Sequence, residues 1–468
     1  MSLFQGGCAS LGEAIFGEAE LGDRRRTARL VKTFDQLCRH PGGSLPNKIA
    51  QPQDLKGLYR LMRCKEVTHA AIIESLRNHT LRNIASHNGY ILLIHDATEL
   101  DYTSHRKLAD QLGQIGKGHA RGYICHNVLA VQAKTRAVLG LADQILHHRV
   151  ETPASETRKE HRERSTRESL LWLQGTRHLP GQRRLVDVCD QGADTFEFLE
   201  HECRSGRTFV IRAYKPRKVQ ADHAGKGPKL YLDAYARSLP ELGKFTMDVQ
   251  PQPGRTGRKN ATFTMRGGPV LIHPPHSHRG KHGDTPLALY AVFIGEDRPP
   301  SGEDPIVWLL LTNKRVKTFR AAWQVTDWYE SRWIVEEYHK GQKTGVGVEE
   351  MQFMAVERLE PAIALLSAVA LTLLNLRDAS RRADAKTRPA ATVVHRDYVA
   401  VLTAWRYGGS HCDISVHDFY YALARLGGHQ NRKSDKPPGW LVLWRGWTKL
   451  QSMLDGYLIA QRKRCGLN

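Results

Sequence analysis

Near the start of the chain, apolar residues recur three and four apart: Ala28, Leu30, Val31, Phe34 and Leu37, then Leu55, Leu58, Tyr59 and Met62. That period predicts amphipathic helices, and residues 1–75 read as a helical region. From residue 90 the pattern changes. Tyr90 to Ile94 is a continuous apolar run leading into His95-Asp96, which reads as a buried strand ending in a carboxylate. Asn127 to Val131 and Ala137 to Leu141 flank Lys134-Thr135-Arg136 and predict an antiparallel hairpin. Arg184 to Val188 is another apolar strand, running into Cys189-Asp190, and Thr208 to Arg212 a further one. Ser169 to Leu173 and Phe196 to Glu202 fall in helices.

Residues 216–305 differ in texture. Pro251 to Gly254, Gly267 to Pro269, Pro274-Pro275 and Pro299-Pro300 punctuate short alternating segments, Phe245 to Val249 and Ala261 to Met265. This predicts an all-β insertion. Ile306 to Leu311 returns to a buried strand, and Thr318 to about Lys343 reads as one long helix. The apolar run Ala362 to Leu376 is bracketed by Glu360 and Arg377. At fifteen residues it falls short of the ~20 needed to cross a bilayer and predicts a buried core helix. A linker, Asp378 to Pro389, precedes a second helical region from about 395. There Leu443, Trp447, Leu450, Leu454 and Leu458 keep helical spacing, a stripe suited either to pairing two copies or to packing inside one. The predicted division is a helical region at 1–75, an α/β core at 76–376 with the insertion at about 216–305, and a second helical region at 377–468.

Charge changes the picture most. The 468 residues carry 69 Lys plus Arg against 48 Asp plus Glu, a net charge of +21. Such an excess implies a polyanionic partner, and nucleic acid is the commonest. No basic amphipathic anchor helix stands out, so no membrane partner is expected. The N-terminus lacks a basic-then-apolar leader, and the eight cysteines form no C-x-x-C pair. A cytoplasmic protein with reduced thiols and no zinc finger is expected. Arg25, Arg26 and Arg29 cluster near one helix start, with Arg60 on the next helix. Cations at a helix start oppose its dipole. They form either a solvated face or a phosphate-binding one.

The candidate chemistry is acidic. Asp96 and Asp190 each end a strand, where open α/β folds place their sites. Each is either a turn residue or one ligand of a hard cation, which needs further oxygens. Tyr329, Arg332, Glu336 and Lys343 fall within roughly a 60° stripe of a continuous helix, while Glu337 projects about 100° from Glu336. The stripe suits a metal ligand flanked by phosphate-binding groups, or an exposed salt-bridged face. Asp187 and Asp194 compete with Asp190; Asp194 is expected to cap the helix that begins near Thr195.

The run Tyr329-Glu330-Ser331-Arg332-Trp333-Ile334-Val335-Glu336, continuing through Lys343, resembles the Y-(2)-R-(3)-E-(6)-K signature of bacterial cut-and-paste DDE transposases. More narrowly, it resembles the hairpin-forming insertion-sequence-four group. His95-Asp96-Ala97-Thr98 and Val188-Cys189-Asp190-Gln191-Gly192 resemble the two aspartate motifs, and Leu21-Gly22-Asp23 through Val31 the N-terminal DNA-binding helix. Further likeness covers Trp308 to Thr312 and Leu443 to Tyr457. The resemblance implies an α/β, RNase H-like (retroviral-integrase-like) core carrying Asp96 on its first strand, Asp190 after its fourth and Glu336 on a late helix. It implies two Mg²⁺, or Mn²⁺ in their place, held by those acids. It implies double-stranded DNA as partner, both transposon ends and target, and a homodimer in the synaptic complex of a bacterial, nucleoid-associated enzyme. Tyr329, Arg332 and Lys343 would grip phosphates, and Lys215 and Arg217 would track the backbone or lie in a solvated turn. Trp308 would receive an everted base or sit in the core; Trp333 is a second aromatic candidate. The rival readings are a catalytically silent DNA-binding inhibitor and a simple nuclease of the same fold.

Overall fold

The computed structural model describes residues 10–464, apart from 151–154, 158–159, 161–162, 222, 226, 276–282, 411–412, 433–434 and 436. The described residues open with five helices: α1 (Leu11–Phe16), α2 (Arg24–Arg39), α3 (Leu45–Lys48), α4 (Pro52–Leu61) and α5 (His69–Ala85). The sequence period is realised, since Leu30, Phe34, Leu37, Leu58 and Met62 are all buried together with Phe16. Asp23 caps α2 by accepting from the Arg25 amide at 2.8 Å, and Thr68 caps α5 through the Ala71 amide at 3.1 Å. The expected boundary at residue 75 cuts through α5. That helix belongs with the sheet: Thr80 donates to the Leu141 carbonyl and Arg77 pairs with Asp143.

Five strands form the heart of the molecule: β1 (Ile91–Asp101), β2 (Arg121–Gln132), β3 (Val138–His147), β4 (Leu185–Cys189) and β5 (Thr208–Arg212). Their order is β3-β2-β1-β4-β5. β1 and β2 are antiparallel with Asp96 opposite Asn127, while β4 runs parallel to β1 and β5 parallel to β4. A two-residue strand, Gly113–Gln114, pairs with the start of β2. Helices α6 (Leu171–Thr176) and α7 (Phe196–Arg204) connect these strands.

The insertion departs from expectation. Its strands β6 (Glu241–Val249), β7 (Arg258–Ile272) and β8 (Leu287–Glu296) do not fold apart from the core. β9 (Val307–Thr312) pairs antiparallel with β5, β8 with β9, and β7 with β8, so one large mixed sheet continues through the segment. An open β5 edge would expose a row of unpaired N–H and C=O groups, and β9 covers it. The segment is not all-β either, because α8 (Leu232–Ser238) packs Leu232, Tyr235 and Ala236 into the same core.

The expected long helix from 318 to 343 is broken. α9 (Phe319–Glu330) and α10 (Trp333–Lys340) are joined by a tightened turn. The amides of Ser331, Arg332, Ile334 and Val335 each bond three residues back. The Ser331 hydroxyl donates to the Asp327 carbonyl at 2.9 Å, a local bond of the kind that competes with the helix ladder. A wide turn, Gly341–Gly345, then carries Lys343.

The apolar helix α11 (Val356–Arg381) runs through the interior, its apolar middle enclosed by the rest of the fold and its two ends partly exposed. Among the described residues, the α-helices that follow are α12 (Arg396–Tyr407), α13 (Val416–Leu426) and α14 (Trp440–Arg464). Here the pairing stripe is spent within the chain. Leu443, Trp447, Leu450 and Leu454 are buried against Tyr398, Leu402, Phe419 and Leu423. The stripe therefore serves internal packing, the second of the two uses its spacing suits.

Candidate active site and DNA-contact residues

β1 and β4 run side by side with Ile94 beside Val188 and His95 beside Cys189, which sets Asp96 next to Asp190 where β4 stops; β1 itself runs on to Asp101, so Asp96 is a mid-strand residue and not the strand end that the sequence predicts. Asp190 closes β4 and caps a short turn by accepting from the Gly192 amide at 3.0 Å. α10 packs across β1 and delivers Glu336. The three acids, with Arg332, His339 and Lys343, line one cleft of about 740 Å³.

Alternation along the strands separates this cleft from a buried ionic cluster on the opposite face. His95, one residue before Asp96, hydrogen-bonds Asp187 at 2.8 Å, and Arg207 bonds Asp187 at 2.6 Å and Glu202 at 3.0 Å. All four side chains are buried. Burial works to raise the Asp187 pKa, yet Arg207 and His95 outweigh it and hold the carboxyl below its ordinary value. Asp187 is thereby committed to holding strands together.

Within the cleft the charges are tightly arranged. Arg332 donates from Nη1 to Asp96 Oδ2 at 2.7 Å and from Nη2 to Glu336 Oε1 at 3.3 Å. Asp96 also accepts from the Ala97 amide at 3.0 Å. Burial pushes Asp96 up to about 6, helped by repulsion from Asp190 and Glu336 and opposed by Arg332. Asp190 is raised too, mainly by burial. Among the described residues, no three carboxylate, imidazole or thiol groups stand close enough to share one ion as arranged; a guanidinium lies between Asp96 and Glu336 instead.

Beside the cleft, Trp308 meets Tyr329 edge-to-face with ring centroids 5.4 Å apart. Tyr329 is buried, and burial raises its phenol pKa against the pull of Arg332 and Arg212. Trp333 is 57% exposed, with the Lys340 ammonium 5.3 Å from its ring centre. Lys343 donates to the Glu99 carbonyl at 2.9 Å and pairs with Glu349 at 3.1 Å. Glu337 points the other way and pairs with buried Arg377 on α11.

Other expected sites sit elsewhere. Asp194 is not a helix cap: Thr195 caps α7 through the Phe198 amide. Asp194 instead accepts from the amides of Tyr214 and Lys215, each at 2.8 Å, and pairs with Arg217. Arg217 is thus bound into the turn after β5, while Lys215 stays exposed. In the helical region, the Arg25 side chain is 92% exposed and Arg60 is also exposed. Arg26 bonds the Leu21 carbonyl and Glu66. Arg29 braces α2 against α4 through Asp54, which Lys32, Gln36 and Arg29 hold down at about 2.

Sequence reasoning missed His339 and Lys340, which line the cleft, and Arg212, which acts on Tyr329. His339 had a signal, since ten residues after Tyr329 it falls only about 20° beyond the edge of the predicted stripe. Arg212 had none, because β5 and α9 meet only in three dimensions. Residues 10–67, spanning the region of α1 to α4, match the family described as transposase DNA-binding.

Proposed function

We propose that this chain is a DDE-type DNA transposase of the hairpin-forming insertion-sequence-four group, built on an RNase H-like core. The observation carrying the reading is the convergence of Asp96, Asp190 and Glu336, from elements far apart in sequence, on one cleft that also holds Arg332 and Lys343. The strand count agrees: Asp96 lies on the first long strand and Asp190 directly after the fourth. The match of residues 10–67 supports a DNA-binding transposase, with DNA as its partner.

The donor set fits a hard divalent cation, because three carboxylates supply oxygen ligands. Asp96, Asp190 and Glu336 would hold two Mg²⁺, with Mn²⁺ as a substitute. Bound there, the metal supplies activation of an attacking hydroxyl and stabilisation of a leaving oxygen. Arg332 and Lys343 bind the phosphates flanking the cut. Their present partners, Asp96, Glu336 and Glu349, keep both cations at the cleft until DNA arrives. Trp308 and Tyr329 offer the aromatic surface an everted base requires. The activity is excision by nicking and hairpin formation, then joining to target DNA by two copies in the bacterial nucleoid.

The test is a plasmid carrying two copies of the inverted repeat that borders the coding sequence, incubated with Mg²⁺ and resolved on denaturing gels. The parent should yield nicks, hairpins and joined products. Asp96→Ala, Asp190→Ala and Glu336→Ala should each lose all three while still binding the repeat. Parental cleavage by any one of them would remove that residue from the site. Nicks without hairpins or joined products from the parent would favour a simple nuclease.

A further inference from the structure

A line of buried amides runs behind the cleft and fixes one of its walls. Asn127 stands directly opposite Asp96 in the β1–β2 register and is fully buried. Its Nδ2 donates to the Cys125 carbonyl at 3.5 Å, and a carbonyl oxygen only accepts. Its Oδ1 accepts from Gln144 Nε2 at 2.7 Å, which fixes the amide the same way round. Gln144 is held in turn by Ser367, to whose hydroxyl it donates at 3.0 Å, and by His69, whose ring meets its Oε1 at 3.1 Å. Asn127 therefore presents Nδ2, a pure donor, to His339 Nε2 at 3.1 Å.

The consequence is a fixed tautomer. A nitrogen that accepts from an amide N–H carries no proton, so the neutral His339 ring keeps its hydrogen on Nδ1. His339 is 8% exposed and lines the cleft three residues after Glu336. Among the described residues, Nδ1 meets no protein acceptor. Burial, then the charges of Lys343 and Arg332, pushes the ring down to about 3, so it stays neutral at working pH. A neutral donor suits this place. It offers a hydrogen bond to an anion without adding a positive charge beside carboxylates that must take up a cation.

Resting on the transposase reading of this cleft, we infer that His339 is a DNA-contacting residue whose Nδ1–H donates to a non-bridging oxygen of the phosphate bound there. Asn127 and Gln144 are positioning residues that set the ring and its tautomer. Oxygens of a phosphate under attack gain negative charge, so the bond strengthens on the way to the transition state.

Two substitutions separate this contact from a packing role. In His339→Asn the side-chain amide nitrogen can stand where Nδ1 stood, while the link to Asn127 is lost. In His339→Gln the terminal amide reaches toward Asn127 while the Nδ1 donor is lost. With saturating protein and a duplex bearing the bordering inverted repeat, single-turnover cleavage should fall roughly 10²-fold in His339→Gln, as for loss of one donor to a developing charge. His339→Asn should recover most of it. Active Gln with inactive Asn, or parental rates in both, overturns the inference.

A second measurement does not depend on cleavage or on either variant folding. In protein labelled at histidine nitrogens, the His339 ring should read as the Nδ1–H tautomer. Its proton resonance should move when the same duplex is added in EDTA. A protonated Nε2, or an unmoved Nδ1 proton with DNA bound, overturns the inference whatever the variants do. If the proton moves yet the parent never cuts, the contact stands and the catalytic reading falls. If the parent cuts and the proton stays still, the reverse holds.

Discussion

Arg332 reaches Asp96 at 2.7 Å across 236 residues of sequence, and the same guanidinium touches Glu336 at 3.3 Å. One cation thus neutralises part of an acidic cluster that would otherwise repel itself. A divalent ion and Arg332 compete for the same oxygens. Arg332→Ala should therefore bind Mn²⁺ more tightly than the parent when no DNA is present, while binding the inverted repeat more weakly. Titration followed by Mn²⁺ paramagnetic resonance checks the first half. Unchanged or weaker Mn²⁺ binding would show that the guanidinium does not guard the acids.

The raised Asp96 makes stability depend on pH with a definite sign. The folded chain keeps this proton up to about pH 6, whereas the unfolded chain releases it near its ordinary value of 3.8. The stabilisation is full below about pH 4 and is lost as pH rises through 6. Asp96→Asn imitates the protonated form. In EDTA it should match the parent near pH 4 and melt higher at pH 8, by an amount on the order of 1–3 kcal/mol. Equal melting at both pH values would refute the strained carboxyl.

Arg25 and Arg29 lie four residues apart yet predict opposite outcomes. Arg25 is nearly free in solvent, holding only its own cap residue Asp23. Arg25→Ala should leave melting unchanged, weaken repeat binding roughly tenfold or more, and lower the salt slope by about one. Arg29 joins α2 to α4 through Asp54. Arg29→Ala should lower the melting temperature by several degrees, and any loss of binding should follow that loosening. A destabilised Arg25→Ala or a silent Arg29→Ala, read by calorimetry, would reverse the assignment.

What could be read in the sequence follows from what is local. Helical period found α2 and α4, because Leu30, Phe34 and Leu58 face one core. Continuous apolar runs found β1 and β4, because both are buried on two faces. The end of β4 located Asp190 and the Tyr329 to Lys343 spacing located Glu336, whereas Asp96, expected at a strand end, lies in the middle of β1. Period does not report partners. The β9 strand that closes the β5 edge and the packing of Leu450 against α12 and α13 depend on contacts distant in sequence, and apolar period does not register the local Ser331 bond at the helix break either. Glu337 shows the practical cost. Its off-stripe position suggests a silent control, but it pairs with buried Arg377, so its removal uncovers a charge in the interior.

Gly345 and Trp440 link the C-terminal helix to the cleft. The Trp440 indole occupies the space a β-carbon on Gly345 would need, and it also abuts Gly341. Between the two glycines lies Lys343, at the cleft wall. Gly345→Ala should push the indole aside at a cost of about 1–3 kcal/mol, typical of overpacking, and slow cleavage by shifting Lys343. Trp440→Leu should restore both stability and cleavage in the double variant. If Gly345→Ala alone melts like the parent, the indole does not fill that space.

The burial of Leu443, Trp447, Leu450 and Leu454 changes how pairing must be tested. Removing α14 would open the core it shares with α12 and α13 and strip Trp440 from Gly341 and Gly345, so loss of paired complexes would mean little. The outer face of the same helix offers a cleaner probe, since Leu441 and Ile459, eighteen residues and so about five full turns apart, are both exposed there, Ile459 by 58%. An exposed isoleucine contributes little to folding, and a charge there should leave melting unchanged. If two copies meet through this face when both ends are bound, Ile459→Glu should abolish the paired-end band on a native gel and keep the single-end band. Parental amounts of paired complex from Ile459→Glu would move the contact away from this face.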